Sequence, residues 1–548
     1  MPQPRLKRTG IVDVTFGENV TVVEPANLYG CTIGDGTFVG PFVEIQGGAV
    51  IGKRCKIQSH AFVCDLVTIG DDCVVSHGVM FINDSFRTGG PANRNRELWG
   101  LTRIGNHVSI GTNSTILPVN ICDDVVIGAG SVVTRDITRP GIYAGNPARF
   151  LRSIPNQKTI MKVPFVDLHA QYLTIKADID AALQDVIANS AYIRGPQVEK
   201  FEECWARTLG VKHCVSCANG TDALYITLRG LGLKAGDEVI TTAHSWISTS
   251  ETITQAGGQV VFCDTEHETF TIDAAQIEAK ITPRTVGIIP VHLYGQPAKM
   301  DAIMAIAEKH HLWVIEDCAQ AHLARYKGQL VGTFGHAATF SFYPGKNLGA
   351  YGDAGGIVTN DNQLADWCAT FARHGGKGEH VMEGINSRMD GFQGAVLCAK
   401  LPHLAKWTGA RRWVAAHYDA LLEGVGDVVT PKVAMGRDHV YHLYVIRTAK
   451  REALKKFLAD AGIATVLNYP KALPFYPAYA RLGHQPADFP VAYANQSQIL
   501  SLPIYPEMSE DMIEYVAAQV RNFFATESRL VPEVKAKPAD SSTTLISA

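Results

Sequence analysis

Two polar side chains in the second half of the chain stand at the ends of strand-like apolar runs. LWVIED ends on Asp317, and HAATFSF opens into a Pro-Gly turn that carries Lys346. A lysine amine can form a Schiff base with a carbonyl, and a carboxylate can keep a pyridine nitrogen protonated, as pyridoxal phosphate chemistry requires. On spacing alone, a surface lysine and a capping aspartate are the more usual interpretation. A phosphate-binding P-loop is excluded, because Phe340 replaces its first glycine and Asn347 follows the lysine.

The surrounding sequence alternates apolar runs of strand length with amphipathic helical stretches. EVITT precedes SWISTSETITQA, and MDAIMAIAEKHH precedes LWVIED. This alternation predicts βα units and a mostly parallel sheet covered on both faces. Because ligands of such sheets gather at the carboxyl ends of the strands, we expect Asp317, Gln320 and Lys346 at one edge of the sheet.

Six longer motifs occur in order in the same part of the chain. They are ANGTDAL at 218–224, AHSWISTSE at 243–251, VIEDCAQAH at 314–322, SFYPGKNLGAYGDAG at 341–355, INSRMDGFQGAVL at 385–397 and LSLPIYP at 500–506. Together they resemble the sugar aminotransferases of the DegT/DnrJ/EryC1/StrS family over about residues 162–525. The resemblance implies an α/β fold-type-I pyridoxal phosphate aminotransferase with a mostly parallel sheet and a smaller C-terminal α/β subdomain.

The resemblance also implies roles for individual residues of these motifs. Lys346 matches the lysine that holds pyridoxal 5'-phosphate as a Schiff base and carries protons, and Asp317 matches the partner of the ring nitrogen. Gln320 matches the residue beside the ring hydroxyl, and Trp246 matches the aromatic side chain that stacks on the ring. The alternative for Trp246 is a core aromatic residue.

Four more positions match the ligands of the cofactor phosphate in this family. Gly220 and Thr221 stand in a turn that opens a helix, where backbone amides can face an anion. Ser341 and, from the neighbouring subunit, Asn386 match the other ligands. A purely structural role is the alternative for Ser341 and Asn386.

The first third of the chain repeats a pattern of six residues. Apolar side chains stand at every sixth position from 33 to 81, and the pattern returns from Ile104 to Val133 with one five-residue step at Ile121. Neither an α-helix nor an alternating strand has a period of six, whereas a coil with three flat faces does. The pattern resembles the left-handed parallel β-helix of the hexapeptide-repeat acyltransferases over roughly residues 11–150.

The repeat breaks between Asn83 and Thr102, and a loop that leaves a repeat is often functional. SHGVMFINDSF, at the start of this break, resembles the sugar N-acetyltransferases of the same fold. The resemblance places Asn83 and Asp84 beside the amine of a nucleotide-linked amino sugar, which they would orient. Because an amine attacks a thioester only when it is neutral, a group is also needed to take its proton, and His77 is the candidate. A structural histidine and a solvated surface loop are the alternatives.

The later coils match the same acyltransferases where coenzyme A lies along the β-helix. IGNHVSIGTNSTILP, IGAGSVVTRD and YAGNPARFLR carry this match. By resemblance, backbone groups of Gly111 and Ala129 face the pantetheine arm, and Arg135 and Arg149 bind the phosphates. Solvated surface cations are the alternative for the two arginines.

The 548 residues therefore divide into a β-helix acyltransferase at 1–152, a linker at 153–161, an aminotransferase at 162–525 and a disordered tail at 526–548. A formal charge of -3 does not favour a nucleic-acid partner, and no apolar run is long enough to span a membrane. We expect a cytoplasmic protein. The one C-x-x-C pair, Cys214 and Cys217, has no second pair nearby, so no metal site is expected.

The two halves together predict two consecutive reactions on one nucleotide sugar. A dTDP-3-keto-6-deoxyhexose would accept an amino group, with glutamate as donor, and acetyl-CoA would then acetylate the amine to give a dTDP-3-acetamido-3,6-dideoxyhexose. Such sugars feed surface polysaccharides such as the O-antigen of lipopolysaccharide. The alternatives are a 4-keto or UDP-linked sugar, or a β-helix that only trimerises the chain. Trimeric β-helices and dimeric aminotransferases together predict a homohexamer.

Overall fold

The structure, a computed structural model, describes residues 10–530 apart from 87, 88, 94, 153, 155–160 and 377. The chain divides into two compact units, residues 1–159 and 160–548. Among the helices of the described ranges, none combines the length and the apolar character that crossing a membrane requires.

The first unit is a parallel β-helix whose coils add short strands to three sheets, confirming the fold predicted from the period of six. The first sheet contains β1 (Ile11–Val12), β4 (Asn27–Tyr29), β7 (Glu44–Ile45), β10 (Phe62–Val63), β13 (Met80–Phe81), β16 (Thr115–Ile116) and β19 (Val132–Val133). The second contains β2 (Thr15–Phe16), β5 (Thr32–Ile33), β8 (Val50–Ile51), β11 (Val67–Ile69), β14 (Thr102–Ile104) and β17 (Asn120–Ile121). The third contains β3 (Thr21–Val22), β6 (Phe38–Val39), β9 (Lys56–Ile57), β12 (Val74–Val75), β15 (Ser109–Ile110), β18 (Val125–Ile127), β20 (Gly141–Ala144) and β21 (Arg149–Arg152). Only the last pair, β20 with β21, is antiparallel within these sheets.

The apolar residues of the repeat fill the interior of the β-helix. Every sixth residue from Ile33 to Phe81 is at most 1% exposed, and those from Ile104 to Val133 are at most 4% exposed. The compact residues between them, such as Ala49 and Ala61, are equally buried. Each large side chain buried in this way contributes about 1.5–3 kcal/mol, so the repeat itself stabilises the coil.

Residues 82–101 leave the β-helix between β13 and β14, where the sequence predicts the break. Among the described residues of this segment, Arg96–Leu98 form a 3₁₀ turn, which is capped by the side chain of Asn95. The rigid coils on both sides fix the two ends of this loop.

The second unit is built on a seven-stranded sheet in the order β22-β30-β29-β26-β25-β23-β24. Its strands are β22 (His213–Cys217), β23 (Glu238–Thr242), β24 (Gln259–Cys263), β25 (Thr285–Ile289), β26 (Trp313–Asp317), β29 (Ala337–Ser341) and β30 (Gly355–Thr359). Five neighbouring strands are parallel, and β30 alone runs against both of its neighbours. Every residue of β23 and β30 is buried, as expected of a sheet covered on both faces.

Helices surround this sheet and form a smaller C-terminal subdomain. They are α1 (Leu168–Thr174), α2 (Lys176–Ala188), α3 (Pro196–Leu209), α4 (Gly220–Gly230), α5 (Ser248–Gln255), α6 (Ala274–Ile277), α7 (Met300–His310), α8 (Asn362–Phe371), α9 (Gly391–Lys400), α10 (Leu404–Leu422), α11 (Arg451–Asp460), α12 (Pro490–Gln498) and α13 (Glu510–Leu530). The subdomain packs α10, α11 and α13 around the antiparallel pair β32 (Tyr444–Arg447) and β33 (Ile499–Leu502). Short strands β27 (Arg325–Tyr326), β28 (Gln329–Leu330) and β31 (Arg437–Asp438) form a separate three-stranded sheet.

The predicted linker at 153–161 lies mostly outside the described residues. The predicted disordered tail at 526–548 lies outside the described residues from residue 531 onwards. Its first five residues are helical, because α13 continues to Leu530. The strand predictions agree closely with the structure: EVITT coincides with β23, and LWVIED exceeds β26 by one residue.

Candidate active sites

Most predicted site residues of the second unit lie around one cavity at the carboxyl ends of the parallel strands. The cavity has a volume of about 430 Å³, a size typical of small-molecule sites. Asp317 and Ser341 are the last residues of β26 and β29. Among the residues that line the cavity are Gly220, Thr221, Trp246, Asp317, Gln320, Ser341 and Lys346. The βα pattern therefore located the correct edge of the sheet.

The N-terminus of α4 forms one corner of this cavity. Asn219 caps the helix, because its Oδ1 accepts a hydrogen bond from the Asp222 backbone N–H at 2.8 Å. The backbone N–H groups of Gly220 and Thr221 donate to no described residue. A Cβ on Gly220 would lie 2.7 Å from the Cβ of Ser341, so only glycine leaves this corner open. Free amides at a helix N-terminus suit an anion such as phosphate.

Asp317 presents a buried carboxylate to the cavity. Its Oδ2 accepts a hydrogen bond from Thr249 Oγ1 at 2.9 Å, and its Oδ1 accepts one from the Ala319 backbone N–H at 3.1 Å. Burial raises the pKa of the Asp317 carboxyl, while these hydrogen bonds and the charge of Lys346 offset part of the rise. The carboxylate is oriented by two donors and can pair with a protonated ring nitrogen.

Lys346 faces the same cavity from the turn that follows β29. Burial lowers the pKa of the Lys346 ammonium to about 8, and the nearby charge of Asp317 opposes that change. A substantial fraction of the amine is therefore neutral at slightly alkaline pH. A neutral amine can attack a carbonyl and can accept a proton.

Gln320 is held in one orientation by two partners. Its Oε1 accepts a hydrogen bond from the Tyr294 backbone N–H at 2.6 Å, and its Nε2 donates to Tyr469 Oη at 2.7 Å. Tyr469 also lines the cavity, and its ring centroid lies 5.4 Å from that of Trp246. Trp246 is 56% exposed, so it is not a core aromatic residue and its ring is open to a ligand.

Asn386 does not line the cavity of its own chain. It is exposed, its backbone bridges to Arg373, and its side chain donates to and accepts from no described residue. The contribution of Asn386 to a neighbouring subunit stays a prediction.

The cavity residues fit pyridoxal phosphate. One cavity is lined by the oriented carboxylate of Asp317, the Lys346 amine with its lowered pKa, the free backbone amides at the start of α4 and the exposed ring of Trp246. Four residues that were not predicted as site residues also line the cavity: Thr249, Tyr343, Asp353 and Tyr469. The first three stand inside the motifs given above, whereas Tyr469 comes from a segment without a recognisable motif.

A different cluster in this unit has the composition of a metal site. His292, Glu316 and Cys318 bring one ligand atom each within 4.8 Å of one another. The ligand atoms of His292 and Glu316 already form hydrogen bonds. His292 Nδ1 accepts one from the Ala298 backbone N–H. The Glu316 carboxylate accepts one from His292 Nε2 and three from backbone N–H groups at 332, 334 and 335. The buried carboxylate is fully satisfied by these donors, so the cluster is better explained as a structural anchor.

In the first unit, Asn83 and Asp84 lie at the root of the 82–101 loop. His77 does not: it is exposed in the turn between β12 and β13, one coil corner earlier, and no described contact joins it to either residue. Asn83 Nδ2 donates to the backbone oxygen of Asp65 at 3.2 Å. Asp84 accepts from the backbone N–H groups of Phe86 at 2.9 Å and Ala92 at 2.8 Å. Both Asn83 and Asp84 therefore also hold the loop, a task that the sequence did not reveal.

Asp65 is a further residue at this root that the sequence analysis missed. Its carboxylate is buried beneath the loop, and Oδ2 pairs with the guanidinium of Arg96. The other oxygen, Oδ1, is buried and has no hydrogen-bond partner among the described residues. No sequence motif marks the pair, because its members are separated by 31 positions.

The predicted coenzyme A positions lie on the later coils. Gly111 and Ala129 are stacked in successive coils, and a Cβ on Gly111 would lie 2.5 Å from the Ala129 backbone nitrogen. Arg135 and Arg149 are exposed, and neither forms an ion pair in the described part of the chain. The Arg149 side chain donates to the neighbouring backbone oxygen of Ala148 at 3.2 Å, and to no other residue that the structure describes.

Both units match families of known proteins. The model of the DegT/DnrJ/EryC1/StrS aminotransferase family matches residues 173–521. The models of the bacterial transferase hexapeptide and of the hexapeptide repeat of succinyl-transferase match residues 30–65 and 101–135.

Individual relatives resemble the chain over about two thirds of its length. It is 40% identical to a dTDP-3-amino-3,4,6-trideoxy-alpha-D-glucose transaminase of Streptomyces venezuelae, covering 66% of this chain and 96% of the relative. It is 41% identical to a UDP-2-acetamido-2-deoxy-3-oxo-D-glucuronate aminotransferase of Pseudomonas aeruginosa, covering 66% of this chain and 100% of the relative. A crystal structure of NtdA from Bacillus subtilis with bound cofactor PMP has a TM-score of 0.62 at 32% identity, covering 67% of this chain and 86% of that one.

Proposed function

Since the chain belongs to the DegT/DnrJ/EryC1/StrS aminotransferase family, we propose that its second unit aminates C3 of a dTDP-linked 3-keto-6-deoxyhexose, with glutamate as amino donor. The first unit, which carries hexapeptide transferase repeats, then acetylates the new amine with acetyl-CoA. The product is a dTDP-3-acetamido-3,6-dideoxyhexose.

The observation that carries the first reaction is the meeting of Lys346, Asp317 and the α4 amides around one cavity. Pyridoxal phosphate, when bound there, supplies a ring that takes up the electron pair left when a proton leaves the substrate carbon. Asp317 would accept a hydrogen bond from the ring nitrogen and so favour its protonated form. The amides of Gly220 and Thr221, with Ser341, would hold the phosphate.

Lys346 carries the proton between substrate atoms. A pKa of about 8 leaves the amine able both to accept and to return a proton close to neutral pH. Gln320, fixed by the Tyr294 backbone and by Tyr469, would bind the ring hydroxyl, and Trp246 would stack on the ring. Asn386 of a neighbouring subunit would complete the phosphate site, so the active unit would be at least a dimer.

The position of amination rests on the relatives. The Streptomyces venezuelae and Pseudomonas aeruginosa enzymes are named for a 3-amino and a 3-oxo sugar, which supports C3 over C4. Their carriers differ, dTDP in one and UDP in the other. A UDP-linked 3-keto sugar is therefore the alternative substrate.

The acetylation step is supported by the loop that leaves the β-helix at Asn83 and Asp84. Asn83 and Asp84 orient the sugar amine and His77 accepts its proton. Gly111, Ala129, Arg135 and Arg149 bind coenzyme A along the later coils. The alternative is a β-helix that only assembles trimers; with dimeric aminotransferase units, either case predicts a hexamer.

The test is a mass spectrum of nucleotide sugars after incubation with pyridoxal phosphate and glutamate. Separate reactions contain 3-keto or 4-keto dTDP-6-deoxyhexoses or a UDP-linked 3-keto sugar, each with and without acetyl-CoA. We expect a dTDP-3-amino sugar without acetyl-CoA and its acetamide with it. Amination without acetylation would leave the β-helix as a scaffold, and no amination of any substrate would overturn the proposed substrate class.

A further inference from the structure

Ser387 joins the exposed Asn386 to the anion corner of its own chain. Its side chain is fully buried, and its Oγ donates to Asp222 Oδ2 at 2.6 Å. The same Oγ accepts a hydrogen bond from the Ala218 backbone N–H at 3.0 Å. Ala218 and Asp222 flank Gly220 and Thr221, whose amides form the corner.

The backbone on both sides of Ser387 is also fixed. The Ser387 N–H donates to the Ala372 oxygen at 3.0 Å, and the Ile385 N–H donates to the Phe371 oxygen at 2.8 Å. Between these two anchors, the Asn386 side chain has no hydrogen-bond partner in the described part of the chain, and it does not line the cavity of its own chain. The segment therefore has a rigid base and a side-chain amide that is free to bind a group outside its own subunit.

These contacts give one serine a connection to two cofactor sites. If Asn386 binds the phosphate of the neighbouring subunit, as proposed above, its direction depends on the hydroxyl of Ser387. That hydroxyl is in turn held by the loop and helix that bind the phosphate of its own subunit. Rigid supporting contacts of this kind set the geometry of a binding group.

We propose that Ser387 is a positioning residue that acts across the subunit interface. It fixes Asn386 on the cofactor phosphate of the neighbouring subunit, and it ties the occupancy of one anion corner to the geometry of the other. The proposal rests on the proposed pyridoxal phosphate site and on the contribution of Asn386 in trans.

A hybrid assembly separates action across the interface from action within the subunit. Two full-length chains with different tags are co-expressed and purified through both tags: one carries Asn386→Ala, and the other carries Lys346→Ala with or without Ser387→Ala. A site with both groups takes Lys346 from the first chain and Asn386 from the second. Pyridoxal phosphate is titrated and then trapped with borohydride, which links it to a lysine and so counts only sites that keep Lys346. In a hexamer these include sites between two Asn386→Ala chains, so the titration is fitted to two classes of site, and the affinity of the class without Asn386 is fixed from assemblies of that chain alone. The counted sites below are those that keep both groups.

We expect Ser387→Ala in the Lys346→Ala chain to weaken cofactor affinity at the counted sites on the order of 10-fold, since a buried hydrogen-bond pair is lost. Asp222→Ala in that chain should have the same effect, because it removes the other end of the hydrogen bond, and Ser387→Thr should have little. Unchanged affinity would overturn the proposal, since the counted site keeps its own Ser387 and Asp222.

Two further measurements make the outcome specific. Assemblies of the Asn386→Ala chain alone give the affinity of sites that lack Asn386. If the hybrid with intact Ser387 binds no more tightly than these, Asn386 does not act in trans, and the proposal falls together with that part of the proposed function. The unfolding temperature of each hybrid shows whether a loss of affinity reflects a loss of folding, and an affinity loss explained entirely by unfolding would also overturn it.

Discussion

The hydroxyl of Thr249 donates a hydrogen bond to Oδ2 of Asp317 over 2.9 Å, and both residues are buried. Thr249 lies in α5 and Asp317 ends β26, so two elements that are distant in sequence fix one carboxylate. The hydrogen bond favours the ionised form of Asp317 against the burial that raises its pKa.

Thr249→Val should raise the pKa of Asp317 further, because it removes this donor while keeping the shape of the side chain. A hydrogen bond to a charged group contributes about 1.5–3 kcal/mol, which corresponds to roughly one to two pH units. The acid limb of the transamination pH profile should therefore move to higher pH by about one unit. Thr249→Ser is the matched control, and a valine profile that superimposes on the wild type would contradict the assignment.

The lowered pKa of Lys346 predicts its reactivity in the cofactor-free protein. Competitive labelling with acetic anhydride, read by mass spectrometry, should rise with pH through about 8, where the Lys346 ammonium loses its proton. Lys456 is an internal reference, because its ion pair with Asp460 raises its pKa above the ordinary value. Since Asp317 opposes the lowering, Asp317→Asn should shift the labelling of Lys346 to still lower pH. Labelling of both lysines over the same pH range would refute this prediction.

The architecture of the first unit could be predicted because its repeat is a direct consequence of its geometry. One bulky residue per face must fill the interior, so Ile33 and Ile51 recur at fixed spacing and both are buried. The strands of the second unit could also be predicted from the sequence, since β23 and β26 each have an apolar centre of strand length that is followed by polar residues.

The candidate sites were only partly predictable. Lys346 and Asp317 were identified from the amino-acid sequences of the motifs around them, because their spacing alone did not distinguish them from surface residues. Tyr469 and Asp65 were missed, since each acquires its place from a tertiary contact with a distant segment, to Gln320 and to Arg96 respectively. The loop-holding contacts of Asp84 depend on the path of the loop backbone, which a repeat pattern does not specify.

Gly220→Ala should close the anion corner. Its new Cβ would lie 2.7 Å from the Cβ of Ser341, and neither atom is the end of a flexible side chain. We expect pyridoxal phosphate affinity to fall at least about 10-fold, the effect of losing well-placed hydrogen bonds to a charged phosphate. Gly409→Ala is the matched control, because this α10 glycine is exposed and has open space around its Cβ position. Equal affinity for the two variants by titration would exclude the corner as the phosphate site.

Arg96→Ala should impair acetylation and leave transamination intact. The substitution removes the cation that pairs with the Asp65 carboxylate. Only 10% of the Asp65 side chain is exposed, so solvent cannot fully replace that cation. Because Asp65 also anchors Asn83 through its backbone oxygen, the root of the 82–101 loop should loosen. We expect acetamido sugar formation to fall on the order of 10-fold, a moderate value because Arg96 itself is largely exposed.

Both products can be measured in one mass spectrum, with limited proteolysis reporting on the loop. Arg103→Ala in β14 is the control, since Arg103 is an exposed arginine just beyond the loop with no ion pair in the described residues. Asp65→Asn should reduce the cost of losing Arg96, because the amide no longer needs a cation. If Arg96→Ala lowered amination and acetylation alike, the Asp65–Arg96 ion pair would stabilise the fold of the whole chain and would have no specific role in the acetyltransferase loop.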